Sequence, residues 1–178
     1  MANLKAAFEK AVAFVLEQEG GWVDDPSDSG GETNFGISSP VLEKATFLGL
    51  VPKGTTPRTL TRAEAIGIYQ DLYWNKIHGD ELPPAVAFHL FDSAVNQGPE
   101  TATRLLQQTL GVEPDGIVGE ETVRAAKDQV GARLLDEFVS KRLLRYVRTK
   151  NVERFAYGWI RRAVATHRRA LGLLWGVA

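Results

Sequence analysis

Apolar residues in this chain recur mainly at the spacing of α-helices. The first segment carries such a stripe at Leu4, Phe8, Val12, Val15 and Leu16. Gly20-Gly21 ends the pattern, since glycine stops helices. Glu19 lies four residues after Val15, so it continues the apolar stripe at the end of the predicted helix. Its carboxyl group is therefore expected to face the core or a cleft.

The rest of the chain also favours helices. Residues 22–39 form a polar loop rich in Gly, Asp and Ser, with room for one small β-hairpin. Further helices are predicted over 41–48, 61–77, from Pro83-Pro84 to Gln97, 100–110, from about Glu120, 131–149 and 152–174. Thr61 and Glu64 form a capping box, and Asn151 is the predicted N-cap of the last helix. We predict a mainly α fold.

Composition is that of an ordinary globular protein, but the charge is uneven. The 178 residues are 44% hydrophobic and 24% charged, and none is cysteine. Residues 141–178 hold 10 Lys/Arg against Glu153 alone, whereas residues 1–140 hold 11 Lys/Arg against 21 Asp/Glu. A basic segment suggests an anionic partner such as nucleic acid, a membrane surface or an acidic polymer. The alternative is a solvated helix face that balances an acidic body.

The N-terminal residues 1–19 do not have the pattern of a signal peptide, because charges interrupt the apolar residues. We expect synthesis in the cytoplasm and export by another agent. No stretch approaches the roughly 18 apolar residues of a membrane span, so no integral membrane association is expected.

Glu19 beside a polar loop suggests the cleavage of a glycosidic bond. That reaction needs a carboxylic acid that stays protonated near neutral pH, and a second polar group that stabilises the transition state or directs water. Partial burial raises the pKa of a glutamate, which suits the first role. Residues 24–33 supply candidates for the second, and Trp22 is placed to stack on a sugar ring. The alternative is a surface or capping glutamate followed by ordinary turns.

A longer run of residues resembles one enzyme family. The elements are Glu19-Gly20-Gly21-Trp22-Val23, Asp25-Pro26 and Gly30-Gly31-Glu32-Thr33-Asn34-Phe35-Gly36-Ile37-Ser38. They resemble the N-terminal signature of glycoside hydrolase family 108, which contains N-acetylmuramidases, many of them phage or prophage endolysins. The resemblance implies a lysozyme-like fold and Glu19 as the catalytic acid.

The order of the polar residues is also similar to that of phage-type lysozymes, in which a glutamate, an aspartate and a threonine form the site. This comparison implies catalytic roles for Asp28 and Thr33 beside Glu19. The threonine is one residue away from its place in that pattern. Asp25 or Glu32 could therefore replace Asp28.

A second polar group lies on the helix that follows Pro84. His89, Asp92 and Asn96 share a helical face there, and Phe91–Pro99 resembles the same family. In the functional interpretation Asn96 hydrogen-bonds an N-acetyl group of the substrate from the far wall of the cleft. In the structural interpretation the face belongs to a buried network between helices, which is the role expected of Asp92.

The chain from residue 99 resembles a peptidoglycan-binding module. The similar residues are Leu106-Gln107-Gln108, Leu110-Gly111-Val112, Asp115-Gly116-Ile117-Val118-Gly119 and Thr122. The Asp-Gly-Ile element is in physical terms a tight turn before a helix, and the alternative role of such a turn is only to join helices. We predict a catalytic part over residues 1–98 and a binding-like part over 99–178 packed on it as one unit.

The leading hypothesis is a monomeric muramidase that cuts the β-1,4 bond between N-acetylmuramic acid and N-acetylglucosamine in the periplasmic cell wall. The resemblance implies release from the cytoplasm through a holin. No cofactor, metal or nucleic acid is expected to take part. The alternatives are a lytic transglycosylase with the same substrate, a chitinase, and a non-catalytic wall-binding protein.

Overall fold

The computed structural model describes residues 2–19, 33–150 and 152–177, and these are mostly helical. The chain forms two compact units. One is Val12–Leu72, and the other is Met1–Ala11 together with Tyr73–Ala178. Asn151, the predicted N-cap, lies outside the described residues.

The unit Val12–Leu72 contains the end of the first helix, a hairpin and two short helices. Helix α1 is Ala2–Glu19, strands β1 and β2 are Thr33–Asn34 and Ile37–Ser38, and helices α2 and α3 are Ser39–Phe47 and Arg62–Tyr69. Thr61 caps α3 as predicted, because its hydroxyl accepts from the Glu64 N–H while the Glu64 carboxylate accepts from the Thr61 N–H at 2.8 Å. The predicted starts of α2 and α3 are correct to within two residues.

The predicted helix 61–77 is not uniform. After α3 the chain continues as a π-helical turn, Gln70–Trp74, and a 3₁₀ turn, Asn75–Ile77. The indole ring of Trp74 packs 5.4 Å from Phe8 and 5.5 Å from Phe91, measured between ring centroids. These partners are distant in sequence, so the local pattern gave no sign of this irregularity.

The larger unit contains a bundle of helices. They are α4 Pro84–Gln97, α5 Pro99–Leu110, α6 Glu120–Gln129, α7 Ala132–Val147 and α8 Val152–Trp175. Helix α4 packs against α5, α7 and α8, and every residue from Ala85 to Ala94 is buried. This helix is surrounded by others and is therefore buried on all sides over this stretch.

Candidate active site

Glu19 is the last residue of α1, at the C-terminal end of a helix that is buried along one face. Val15, one turn earlier, is fully buried, and Val12 is 4% exposed. The predicted apolar stripe that leads to Glu19 is thus present. The predicted site residues Trp22 and Asp28, and the alternatives Asp25 and Glu32, lie outside the described residues.

Thr33 begins the hairpin, in the same compact unit as Glu19. It is half-buried and pairs with Ser38 across the two strands. The turn between the strands has positive φ at both central residues, 52° at Phe35 and 75° at Gly36, which is the conformation of a tight hairpin turn. Phe35 is a strained residue in this region of backbone space.

Two long-range hydrogen bonds hold the hairpin in place. The hydroxyl of Tyr69 donates to the carbonyl oxygen of Phe35 at 2.9 Å, and the side-chain amide of Asn34 donates to the carbonyl oxygen of Pro57 at 2.8 Å. The strain at Phe35 persists because these contacts fix the backbone. Thr33 therefore lies on a hairpin that is anchored to the rest of its compact unit.

Asn96 is the last member of a series of hydrogen bonds within the larger compact unit. The Nε of Arg142 donates to the Tyr146 hydroxyl at 2.8 Å, and that hydroxyl donates to Oδ1 of Asn96 at 2.6 Å. Arginine can only donate, so the hydroxyl must accept from it and give its own proton to Asn96. Burial raises the pKa of Tyr146 and keeps that proton in place. These hydrogen bonds orient the side-chain amide of Asn96 so that its NH₂ group points away from Tyr146.

Sequence reasoning did not identify Arg142 and Tyr146. They lie four residues apart on α7, so their shared helical face was readable, but nothing in the spacing indicated Asn96 as their partner.

Asp92 joins α4 to α7 and α8. Its Oδ2 lies 2.7 Å from Nη2 of Arg142, and its Oδ1 accepts from Nε of Arg162 at 2.8 Å. The hydroxyl of Thr166 also donates to Oδ2, at 2.7 Å. Burial alone would raise the pKa of Asp92, but the two arginines and the hydrogen bonds lower it to about 2. The structural interpretation of Asp92 fits these contacts.

Two arginines of the basic C-terminal segment therefore form ion pairs inside the protein. Arg142 is fully buried and Arg162 is 12% exposed, and both pair with Asp92. Both guanidinium groups contact the same buried carboxylate, so these two arginines are engaged inside the protein.

His89 is fully buried on the same helix as Asp92. Its ring lies 4.9 Å from that of Phe138 and 5.8 Å from that of His167, measured between centroids. Neither ring nitrogen has a hydrogen-bond partner on another described residue. Burial, and then the positive charge of Arg142, lowers the pKa of His89 to about 3, so the imidazole is neutral at neutral pH.

The Asp-Gly-Ile element forms a turn around the buried side chain of Gln107. The Gln107 amide donates to Oδ1 of Asp115 at 2.7 Å and to the Ile117 carbonyl oxygen at 2.9 Å, and its oxygen accepts from the Gly116 N–H at 2.8 Å. Gly116 has φ 85°, and a Cβ there would lie 2.7 Å from the Glu100 side chain. This element thus joins α5 to α6.

Within the described ranges, no cluster of three or more His, Asp or Glu side chains has the arrangement of a metal site. No helix there is both long enough and apolar enough to cross a membrane.

Two families match consecutive parts of the chain. Residues 12–98 match Glycosyl hydrolase 108, and residues 101–164 match a family described as Predicted Peptidoglycan domain. Among solved structures, the structure of Brucella abortus SagA has a TM-score of 0.86 and 35% sequence identity, over 95% of this chain and 96% of that one. The chain belongs to glycosyl hydrolase family 108. No curated protein matches it.

This family 108 member is a glycoside hydrolase that acts on peptidoglycan. The predicted family and the mainly α, lysozyme-like fold are confirmed. The two family matches meet between residues 98 and 101, whereas the compact units divide within α1 and at residues 72–73. The functional division into residues 1–98 and 99–178 stays a prediction.

Proposed function

We propose that this family 108 hydrolase is an N-acetylmuramidase with Glu19 as its general acid. The observation that carries the proposal is the position of Glu19, at the C-terminal end of α1 and one turn after the fully buried Val15. The C-terminal end of a helix is the negative end of its dipole, where a carboxyl group is less readily ionised. Such a position favours the protonated form that a general acid needs.

The second catalytic group in this proposal is Asp28, with Thr33 as its neighbour in the site. Thr33 has support from its place on the hairpin, which two long-range hydrogen bonds anchor. Asp28 is proposed from its order in the sequence between Glu19 and Thr33. Asp28 or Thr33 positions the water or stabilises the positive charge that develops on the sugar. Trp22 stacks on a sugar ring.

Asn96 is the proposed ligand of an N-acetyl carbonyl. Its support is the bond from Tyr146, which occupies Oδ1 and leaves the NH₂ group to donate. Replacing Tyr146 by Phe would remove that restraint, so we expect KM for peptidoglycan to rise with little change in kcat.

The test of Glu19 compares Glu19→Gln with Glu17→Gln, since Glu17 is exposed on the same helix. Release of soluble fragments from purified peptidoglycan should fall by at least about 100-fold in the first variant and stay unchanged in the second. Thermal unfolding of both should match the wild type. A Glu19→Gln enzyme with the wild-type rate would overturn the assignment.

The cleaved bond is tested on the products of the same digestion by mass spectrometry. A muramidase leaves N-acetylmuramic acid as a reducing end. A lytic transglycosylase leaves 1,6-anhydro-muramic acid instead. If that product is found, the enzyme is a transglycosylase and the proposed hydrolysis is refuted.

We also propose that the enzyme works as a monomer in the periplasm after leaving the cytoplasm through holin-type membrane lesions. The support is its resemblance to family members from phages and prophages. Cells that express it should lose turbidity only when the inner membrane is permeabilised. Lysis of untreated cells at the same rate would refute this route.

A further inference from the structure

A polar pocket of about 540 Å³ lies in the part of the chain that matches the peptidoglycan domain. Its wall is formed by α5, the end of α6 and α7, all within one compact unit. The buried side chain of Leu134 contributes apolar surface. The Asp-Gly-Ile turn, which carries the resemblance to wall-binding proteins, does not contribute to the lining.

Three charged side chains of α7 line this pocket with alternating sign. Arg133, Glu137 and Lys141 are spaced four residues apart, so they lie on one face of the helix. Among the described residues none of the three makes an ion pair within 4 Å. Their charges are therefore available to a ligand, unlike those of Arg142 and Arg162.

The pattern fits a ligand that carries both charges. Arg133 and Lys141 are suited to carboxylates, and Glu137 between them is suited to an ammonium group. Sugar rings are usually met by aromatic faces, and none of the described residues that line the pocket is aromatic. Within peptidoglycan the stem peptides carry free carboxylates and the amino group of a diamino acid, whereas the glycan strand supplies mainly neutral hydroxyl and acetamido groups.

We propose that this pocket binds the stem peptide of peptidoglycan, with Arg133 and Lys141 on its carboxylates and Glu137 on its amino group. The pocket would hold the enzyme on peptide-bearing strands while the site at Glu19 cuts the glycan. This inference rests on peptidoglycan as the substrate and does not depend on which glycosidic bond is cleaved.

The binding test uses the full-length protein and the tripeptide L-alanyl-γ-D-glutamyl-meso-diaminopimelate, measured by calorimetry and by NMR shift changes. The Arg133→Glu/Lys141→Glu variant should lose at least about tenfold in affinity, and so should Glu137→Lys. The matched control is Arg124→Glu/Lys127→Glu, which changes the net charge equally on α6 outside the pocket. The control should bind as the wild type does.

The activity test compares intact peptidoglycan with glycan strands stripped of stem peptides by an amidase. The pocket variant should lose its preference for the intact substrate and keep the wild-type rate on stripped strands. No tripeptide binding by the wild type, or equal binding by the pocket and control variants, would overturn the proposal. Displacement of the tripeptide by a neutral chitin tetrasaccharide would overturn the assigned ligand class.

The Glu19→Gln variant separates this inference from the proposed function. It should still bind the tripeptide as tightly as the wild type while hydrolysis is lost. If it still hydrolyses peptidoglycan, the assignment of Glu19 fails, yet binding at the pocket remains a separate result.

Discussion

The ion-pair network at Asp92 makes a strong prediction about stability, because it holds three helices together through buried charges. Asp92→Asn preserves the shape of the side chain but removes its charge. Arg142, fully buried, would then lose the carboxylate 2.7 Å from its Nη2. The amide oxygen can accept from the donors at one of the two oxygen positions, but the NH₂ group then meets the donors at the other position, which are Arg162 or else Arg142 and Thr166.

The expected cost follows from the burial of both partners. Removing one member of a buried ion pair costs about 3–5 kcal/mol, because the other charge stays buried without compensation. With an m-value of about 2 kcal/mol/M, the urea midpoint should fall by roughly 1.5–2.5 M. The variant stays folded without denaturant if the total stability lies in the upper part of the usual range of about 5–15 kcal/mol.

Urea unfolding followed by circular dichroism measures this shift. Asp128→Asn is the control, since Asp128 is exposed and should change stability by no more than about 0.5 kcal/mol. Adding Arg142→Met to Asp92→Asn removes the uncompensated charge, so the two changes should couple by at least about 1 kcal/mol. A loss below about 1 kcal/mol for Asp92→Asn, or strict additivity in the cycle, would refute the reasoning.

The pH dependence of the network gives an independent check. The pKa of Asp92 is lowered from 3.8 to about 2 in the folded protein. This carboxylate therefore contributes stability above pH 3.8, and the contribution is lost as the pH falls through about 2. The shift corresponds to about 2 kcal/mol. Asp92→Asn should lack this part of the acid destabilisation, as urea midpoints between pH 5 and pH 2 would reveal.

Two further predictions concern other buried positions. The pKa of His89 is lowered from 6.5 to about 3, so the wild type loses stability as the pH falls below 6.5. Between pH 7 and pH 5, His89→Phe should therefore lose about 2 kcal/mol less of its free energy of unfolding than the wild type, as measured by urea titrations. An unchanged pH dependence would contradict this. Gly79→Ala should lower Tm by at least several degrees, because a Cβ would lie 2.4 Å from the buried Trp74 ring. In the control Gly158→Ala, in α8, the Cβ meets nothing within 4 Å, so stability should rise by about 0.5–1 kcal/mol. Equal Tm values for the two variants would count against the packing argument.

Features that depend on neighbouring residues were predictable from the sequence. The Thr61–Glu64 capping box set the start of α3, and Gly111 ended α5 in the left-handed conformation that glycine favours. The apolar stripe that leads to Glu19 was likewise local. Each of these features rests on contacts within four residues, where helical spacing is informative.

Features that depend on distant residues were not predictable. Asp92 bonds to Arg162 and Thr166, 70 and 74 residues further along the chain. The sequence placed His89, Asp92 and Asn96 on one polar face but could not assign their partners. The structure gives them different environments: His89 packs against Phe138, Asp92 pairs with arginines, and Asn96 accepts from Tyr146.

In the second half of the chain, the motifs that reveal the family differ from the residues proposed to bind substrate. The Asp-Gly-Ile element surrounds Gln107, and Gly116 has φ 85°, a backbone conformation that residues with a side chain rarely adopt. Such a turn is restricted by packing, which makes it recognisable without giving it a role in binding. Arg133 and Lys141 belong to no motif, yet their charges face a pocket without an internal partner. Ligand binding in this half should therefore respond to changes on α7 and not to conservative changes in the turn.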